Sequence, residues 1–262
     1  MGRVLIVAGS DSGGGAGIQA DIKTVSALGG YAATAITALT AQNTLGVHGV
    51  IGVEPEFIEQ QMTVVLEDVG ADCIKSGMLH NSDVINIVVD TLSAWSDIPL
   101  VVDPVMFAKG GHSLLEDEAT VALKTRLLPC AFVVTPNIPE AETLSGMTIK
   151  SVADMKLACQ KICDFGCDAV LLKGGHMEGD RLSDVLYADG AFDIFEDDRI
   201  PSRHTHGTGC TLASSIAAGI ADAMSLVDAV ARGRAYVREA IRTAPGYGAG
   251  HGPLNHGHTL GR

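Results

Sequence analysis

Residues 4–28 read VLIVAGSDSGGGAGIQADIKTVSAL, and the order of textures in that stretch decides the fold class. Val4–Ala8 is apolar at every position rather than at every second one, which suits a strand covered on both faces. Glycines and short polar residues follow, and a helical pattern then runs over roughly Ala16–Leu28. Strand, glycine-rich turn and helix make the opening half of a βαβ unit. The turn is not a dinucleotide fingerprint, because no set of its glycines satisfies G-x-G-x-x-G. It also lacks the GK[ST] that a P-loop requires.

The same texture recurs outward from this unit. Strands are predicted near Ala33–Leu39, Cys73–Ser76, Leu100–Asp103, Phe132–Thr135 and Ala169–Lys173. Helices are predicted over Pro55–Val69, Ser82–Ala94, Asp117–Leu128, Pro139–Leu144 and Ser151–Phe165. Such alternation predicts an α/β protein, a three-layer αβα sandwich whose mostly parallel sheet is flanked by helices. Val185–Tyr187 and Ala191–Phe195, joined through Ala-Asp-Gly, read as a small edge hairpin, since Asp-Gly supplies the positive φ angles of a tight turn. Two last helices, about Gly209–Ala223 and Leu226–Ala244, close the fold, and a Gly- and His-rich tail from Pro245 reads as irregular. Without a low-complexity linker or an internal repeat, residues 1–262 are expected to form a single domain.

Composition narrows the function. A net charge of −13 offers no basic stripe for a nucleic acid, so any polyanionic ligand must be held locally by backbone amides, a few lysines and a metal ion. The apolar run at the N-terminus is too short for a signal peptide or a membrane span, and no later stretch reaches about eighteen apolar residues. The six cysteines lack the density of a secreted disulfide scaffold. A cytoplasmic address is expected.

In an open parallel sheet ligands sit at the carboxyl ends of the strands, and here the informative polar residues follow five predicted strands. They are Gly9-Ser10-Asp11, Ser76-Gly77-Met78, Asp103-Pro104, Thr135-Pro136-Asn137 and Lys173-Gly174-Gly175. The sharpest segment is His206-Gly207-Thr208-Gly209-Cys210-Thr211, which opens an apolar helix. Glycines let backbone N–H groups turn toward a ligand, and the helix start adds its positive dipole end, so the segment makes an anion hole. A Cys in a first helical turn is expected to have a lowered pKa, which makes Cys210 a candidate base or nucleophile. The alternative is a small apolar Cys packed beneath an ordinary glycine-initiated helix. Asn137 and Glu140, three apart, suit Mg²⁺ with its preference for oxygen, or else cap a helix. Lys173, straight after a buried strand, reaches a phosphate or is simply solvated.

Other signals are set aside. Cys159, Cys163 and Cys167 repeat every four residues, which on a helix marks one face rather than a metal set, and Gly166 reads as ending the helix before Cys167. The H-x-H pairs His204/His206 and His256/His258 read as loop-surface or packing residues, and Asp184 and Glu196–Arg199 as solvated faces.

Taken together, the segments GSDSGGGAGIQADIKT, ITALTAQNT, IKSGML, VVDPVM, LLPCAFVVTPNIPEAE, AVLLKGGH, THGTGCTLASSIAAG and GHGPLNH resemble the hydroxymethylpyrimidine kinase/phosphomethylpyrimidine kinase family of thiamine biosynthesis, within the ribokinase-like superfamily. The resemblance implies a kinase that uses ATP and Mg²⁺ to phosphorylate 4-amino-5-hydroxymethyl-2-methylpyrimidine and then its monophosphate. It implies a pyrimidine site at Ala16, Asp21, Gln42, Met78 and Val105, with the Gln42 amide pairing to ring and amino nitrogens. Cys210 stands where sugar kinases of the superfamily carry an Asp base, and the Gly207, Thr208, Gly209 and Cys210 amides would receive the phosphoryl group. Asp103, Asn137, Glu140, Lys173 and Thr208 would serve the nucleotide, with Asn137 and Glu140 holding Mg²⁺ through water and Lys109 approaching the phosphates. A homodimer is implied as well. Pyridoxal kinase is the rival activity, and a non-catalytic ligand sensor on the same scaffold is a further alternative.

Overall fold

The computed structural model describes residues 1–106, 117–177 and 179–260. Among the described residues, nine strands form one sheet, in the order β3-β2-β1-β4-β5-β6-β7-β8-β9. The strands are β1 (Arg3–Asp11), β2 (Tyr31–Asn43), β3 (Gly46–Gly52), β4 (Cys73–Ser76), β5 (Leu100–Val102), β6 (Val133–Val134), β7 (Ala169–Leu172), β8 (Arg181–Ala188) and β9 (Ala191–Asp198). From β2 through β7 neighbouring strands run parallel, whereas β3 at one edge and β8–β9 at the other are antiparallel. The hairpin turn has Asp189 at φ 51° and Gly190 at φ 75°, the two positive values that Asp-Gly predicts.

The helices are α1 (Gly17–Ala27), α2 (Pro55–Asp68), α3 (Ser82–Leu92), α4 (Asp117–Ala122), α5 (Ile138–Ser145), α6 (Val152–Cys163), α7 (Thr208–Ala221) and α8 (Leu226–Arg242). Alternate residues of β1 enter two different cores. Leu5 and Val7 pack with residues of α2, α3 and α6, while Val4, Ile6 and Ala8 pack with residues of α1, α7 and α8. A period of two with both faces covered explains why the strand reads as one continuous apolar run. The segment predicted as one helix over 117–128 divides: α4 widens at Leu123–Leu127 into a π-helical turn, where the Leu128 amide donates to the Leu123 carbonyl. That widening lets Leu123, Leu127 and Leu128 all enter the core.

Three expectations need correction. Strand β3 was not predicted, because three of its seven residues are glycines and most of it is exposed, so no alternation marks it. Asp184 is not on a solvated face. It is buried, accepts a 2.8 Å bond from the Gly174 amide and pairs with Arg234 of α8. Arg199 likewise turns inward, its guanidinium donating to the carbonyls of Gly175, Met177 and Gly179.

Candidate active site

A cavity of about 970 Å³ opens at the carboxyl ends of β1, β4, β5 and β7. Two glycine-rich loops meet at its centre. The loop after β1 folds around the Asp11 carboxylate, which accepts from the amides of Gly13 (2.8 Å), Gly15 (3.1 Å) and Ala16 (2.9 Å). Burial pushes that carboxyl up, but the hydrogen bonds from His206 and the loop amides outweigh it and hold Asp11 below its ordinary value. The second loop precedes α7. Gly207 adopts φ 84°, and a Cβ there would run into the Gly15 carbonyl, so no other residue fits between the loops.

Helix α7 begins at Thr208, and Thr211 is the first residue whose amide closes a bond back to Gly207. Among the described residues, no backbone carbonyl accepts from the amides of Gly209 and Cys210, as expected of a helix start. Gly207, Thr208, Gly209 and Cys210 all line the cavity. A Cβ on Gly209 would sit 3.3 Å from Lys173 Nζ and 3.5 Å from Asp103 Oδ2, so the helix start lies directly beside that ion pair.

Lys173 donates to Asp103 Oδ1 at 3.0 Å, and the Thr135 hydroxyl donates to the same oxygen at 3.2 Å. Asn137 and Glu140 form a capping box: Asn137 Oδ1 accepts from the Glu140 amide at 3.0 Å, and Glu140 Oε2 accepts from the Asn137 amide at 2.8 Å. The capping reading is seen directly, and the two capping residues also line the cavity. Burial pushes the Glu140 carboxyl up to about 7, against the opposing pull of Lys173. Asp103 Oδ2 stays outside the hydrogen bonds described above, while the Glu140 carboxylate also accepts from the Met106 backbone amide. Hard oxygens beside a buried carboxyl that gains from a nearby cation fit Mg²⁺ with its waters.

Ala16, Gln42, Met78 and Val105, four of the five residues expected to meet the pyrimidine, also line the cavity. The Thr37 hydroxyl fixes the Met78 carbonyl at 2.6 Å. The fifth, Asp21, is not brought to the cavity. Spacing at 18, 21 and 25 places it on the buried face of α1, where it accepts from Lys75 Nζ at 2.9 Å and from the Ser214 hydroxyl at 2.6 Å. Lys75, by contrast, lines the cavity floor. Burial disfavours its charge, but Asp21 outweighs burial and keeps the ammonium protonated. The expectation for Cys210 is reversed. Burial pushes its thiol up to about 12, because the nearby Lys75 charge is too small an offset.

Two cavity residues escaped sequence reasoning. Lys75 had a signal, since a Lys inside the strand Cys-Ile-Lys-Ser requires a buried partner. His206 had only its place next to Gly207. Its Nε2 lies 2.8 Å from Asp11 Oδ2 and 3.4 Å from Gln42 Nε2. Residues 250–256 fasten this corner: the His206 amide donates to the Gly252 carbonyl, and the Gly250 and His251 amides reach Thr44. Lys109 lies outside the described residues.

A parallel sheet with antiparallel edges, a glycine-rich helix start and a lysine at a strand end, gathered at one cavity, define a ribokinase-like kinase, and solved structures agree. The pyridoxal kinase from Staphylococcus aureus in complex with AMP-PCP superposes with a TM-score of 0.91 at 35% identity, covering 98% of this chain and 94% of that one. Over residues 11–255 the sequence matches the phosphomethylpyrimidine kinase family, and the chain belongs to it. The hydroxymethylpyrimidine/phosphomethylpyrimidine kinase of Bacillus subtilis (strain 168) is 47% identical over 255 residues, spanning 97% of this chain and 94% of its own. The thiamine biosynthesis bifunctional protein ThiED of Geobacter sulfurreducens is 49% identical over 255 residues, and this chain spans only 52% of its length.

Proposed function

We propose that the protein, acting as one domain, uses ATP to phosphorylate 4-amino-5-hydroxymethyl-2-methylpyrimidine and then converts the monophosphate to the diphosphate. One observation carries the reading: Gln42, which suits an aminopyrimidine edge, and the Gly209 and Cys210 amides, which suit a phosphoryl group, face the same cavity. Relatives 47% and 49% identical bear that activity or that pathway in their names, which supports the same choice.

In this reading Met78 and Val105 pack on the ring, and Lys173 and Asp103 take the polyphosphate end. Leu182, Ile200, Pro201 and Ile241 offer apolar walls beyond it for the nucleotide base. Asp103, Asn137 and Glu140 would hold Mg²⁺ through water, and bound Mg²⁺ would neutralise charge on the phosphate oxygens. The hydroxymethyl oxygen forms its bond to the γ-phosphorus as the β–γ bridging bond breaks, and ADP leaves with that electron pair. The transition state is loose, so little basicity is needed. A thiol near 12 is ionised to about one part in 10⁵ at pH 7. Cys210 therefore orients the alcohol, whose proton passes to the arriving phosphoryl oxygens and then to solvent. Cys210→Ser should keep turnover within about tenfold; a loss of about a thousandfold or more would restore the base role.

A coupled assay of ADP release with hydroxymethylpyrimidine, pyridoxal and ribose tests the whole reading, with products resolved by mass. Formation of mono- and diphosphate from the pyrimidine is expected. Ribose preference, or ATP consumption indifferent to every acceptor, sinks it. Pyridoxal is the second substrate to weigh, because apolar walls such as Met78 and Val105 accept either ring and the solved pyridoxal kinase is so similar. A kcat/KM higher for pyridoxal than for the pyrimidine would exchange the two. No helix among the described residues is long and apolar enough to cross a membrane, which is compatible with the proposed cytoplasmic address. Exposed Leu39, Leu45, Val50 and Ile51 at the β2–β3 edge support a homodimer.

A further inference from the structure

The carboxamide of Gln42 can stand two ways round, and its neighbours allow one. As placed, its nitrogen is 3.4 Å from His206 Nε2 and its oxygen 3.1 Å from Thr40 Oγ1. Count the protons. Asp11 is held ionised by its loop amides, so the 2.8 Å contact from His206 Nε2 to Asp11 Oδ2 needs a proton on that nitrogen. Two N–H groups would then face each other across 3.4 Å. The single hydroxyl proton of Thr40 is already given to the Ser10 carbonyl at 2.8 Å, so Thr40 has none left for a Gln42 oxygen. Turning the amide over removes both conflicts, because its N–H₂ then donates to the Thr40 lone pair and its oxygen faces the His206 N–H.

We infer that His206 is a positioning residue that determines specificity: by donating its proton to Asp11 it makes Gln42 present oxygen on the His206 side and N–H on the Thr40 side. The inference rests on the function proposed above and deepens it. A 4-aminopyrimidine offers, along one edge, an amino donor beside a ring-nitrogen acceptor. The amino group then docks at the His206 end and the ring nitrogen at the Thr40 end. The hydroxymethyl group is on the ring carbon next to the amino-bearing one, so it also lies toward His206 and toward Cys210, where the phosphoryl group arrives. The opposite amide would direct the alcohol away from it.

Two measurements test this. In the ligand-free full chain, selectively labelled for NMR, the Gln42 side-chain amide protons should show NOEs to Thr40. NOEs to the His206 ring instead overturn the inference, whatever the enzyme phosphorylates. In kinetics, the comparison is between hydroxymethylpyrimidine and its analogue lacking the 4-amino group. The parent enzyme should prefer the amino compound by at least about a hundredfold in kcat/KM. His206→Leu should shrink that ratio by about tenfold or more, His206→Gln should recover part of it, and Thr40→Val should shrink it too. Equal loss on both compounds, with the ratio unchanged, means a merely structural His206 and sinks the idea. A parent enzyme inactive on the pyrimidine would defeat the function itself, leaving the NMR result to judge the amide.

Discussion

Glu140 has two tasks whose pH preferences conflict. Its folded pKa of about 7 is above the usual carboxyl value of 4.5, so the folded state binds this proton more tightly than the unfolded chain does. The stability it contributes is complete below about 4.5 and is lost as pH rises through 7. Binding a metal calls for the opposite form. Glu140→Gln keeps the capping box and stays neutral, so at pH 8 its Tm should equal or exceed the parent's, with the advantage fading toward pH 5. Its turnover should fall at least about tenfold. A Tm deficit equal at both pH values would refute the account. Lys75 makes a second case. Lys75→Met alone leaves Asp21 buried and unpaired and should cost about 3–5 kcal/mol in denaturant melts, whereas Lys75→Met with Asp21→Leu should recover most of that. If the double variant is no better than the single, the pair is not what holds the site floor. At this scale the sequence was legible where a residue's neighbours in the chain decide its partner, as with the Asn137–Glu140 cap. It was not legible for Asp21, whose helix phase decides its partner, or for Cys210, whose burial reverses the helix-start expectation.

Elements were easier to read than side chains. Continuous apolar runs marked the central strands, and the Asp-Gly turn marked the hairpin, because each feature is local. Strand β3 escaped because an exposed, glycine-rich edge carries no periodicity, and the π-helical turn escaped because its cause is the distant core that receives three leucines. The start of α7 was legible as a glycine-initiated helix, though its contact with the first loop was not. That contact supports a prediction. Gly207→Ala adds a left-handed non-glycine residue and a clash with the Gly15 carbonyl, so it should lower stability by about 1–3 kcal/mol and abolish most turnover. Wild-type melting and activity in Gly207→Ala would show that the two loops do not abut in solution.

At the scale of the molecule, the described residues join nine strands into one sheet with a core on each face, and the outer β2–β3 edge leaves Leu45 69% and Ile51 71% exposed. Light scattering should find a dimer for the parent and a monomer for Ile51→Lys; a variant that still dimerises would place the interface elsewhere. Residues 250–256 have a different kind of importance. They reach back to Thr44 on one side and to His206 on the other, two positions that lie about 160 apart in the chain and are both near the acceptor end of the cavity. A ribosome-bound chain that has not yet extruded this segment would own a nearly finished sheet but an unbraced corner beside Gln42. Competence should therefore switch on abruptly once residues 250–256 have emerged, and a copy trimmed by a peptidase back to residue 250 should be silent rather than sluggish.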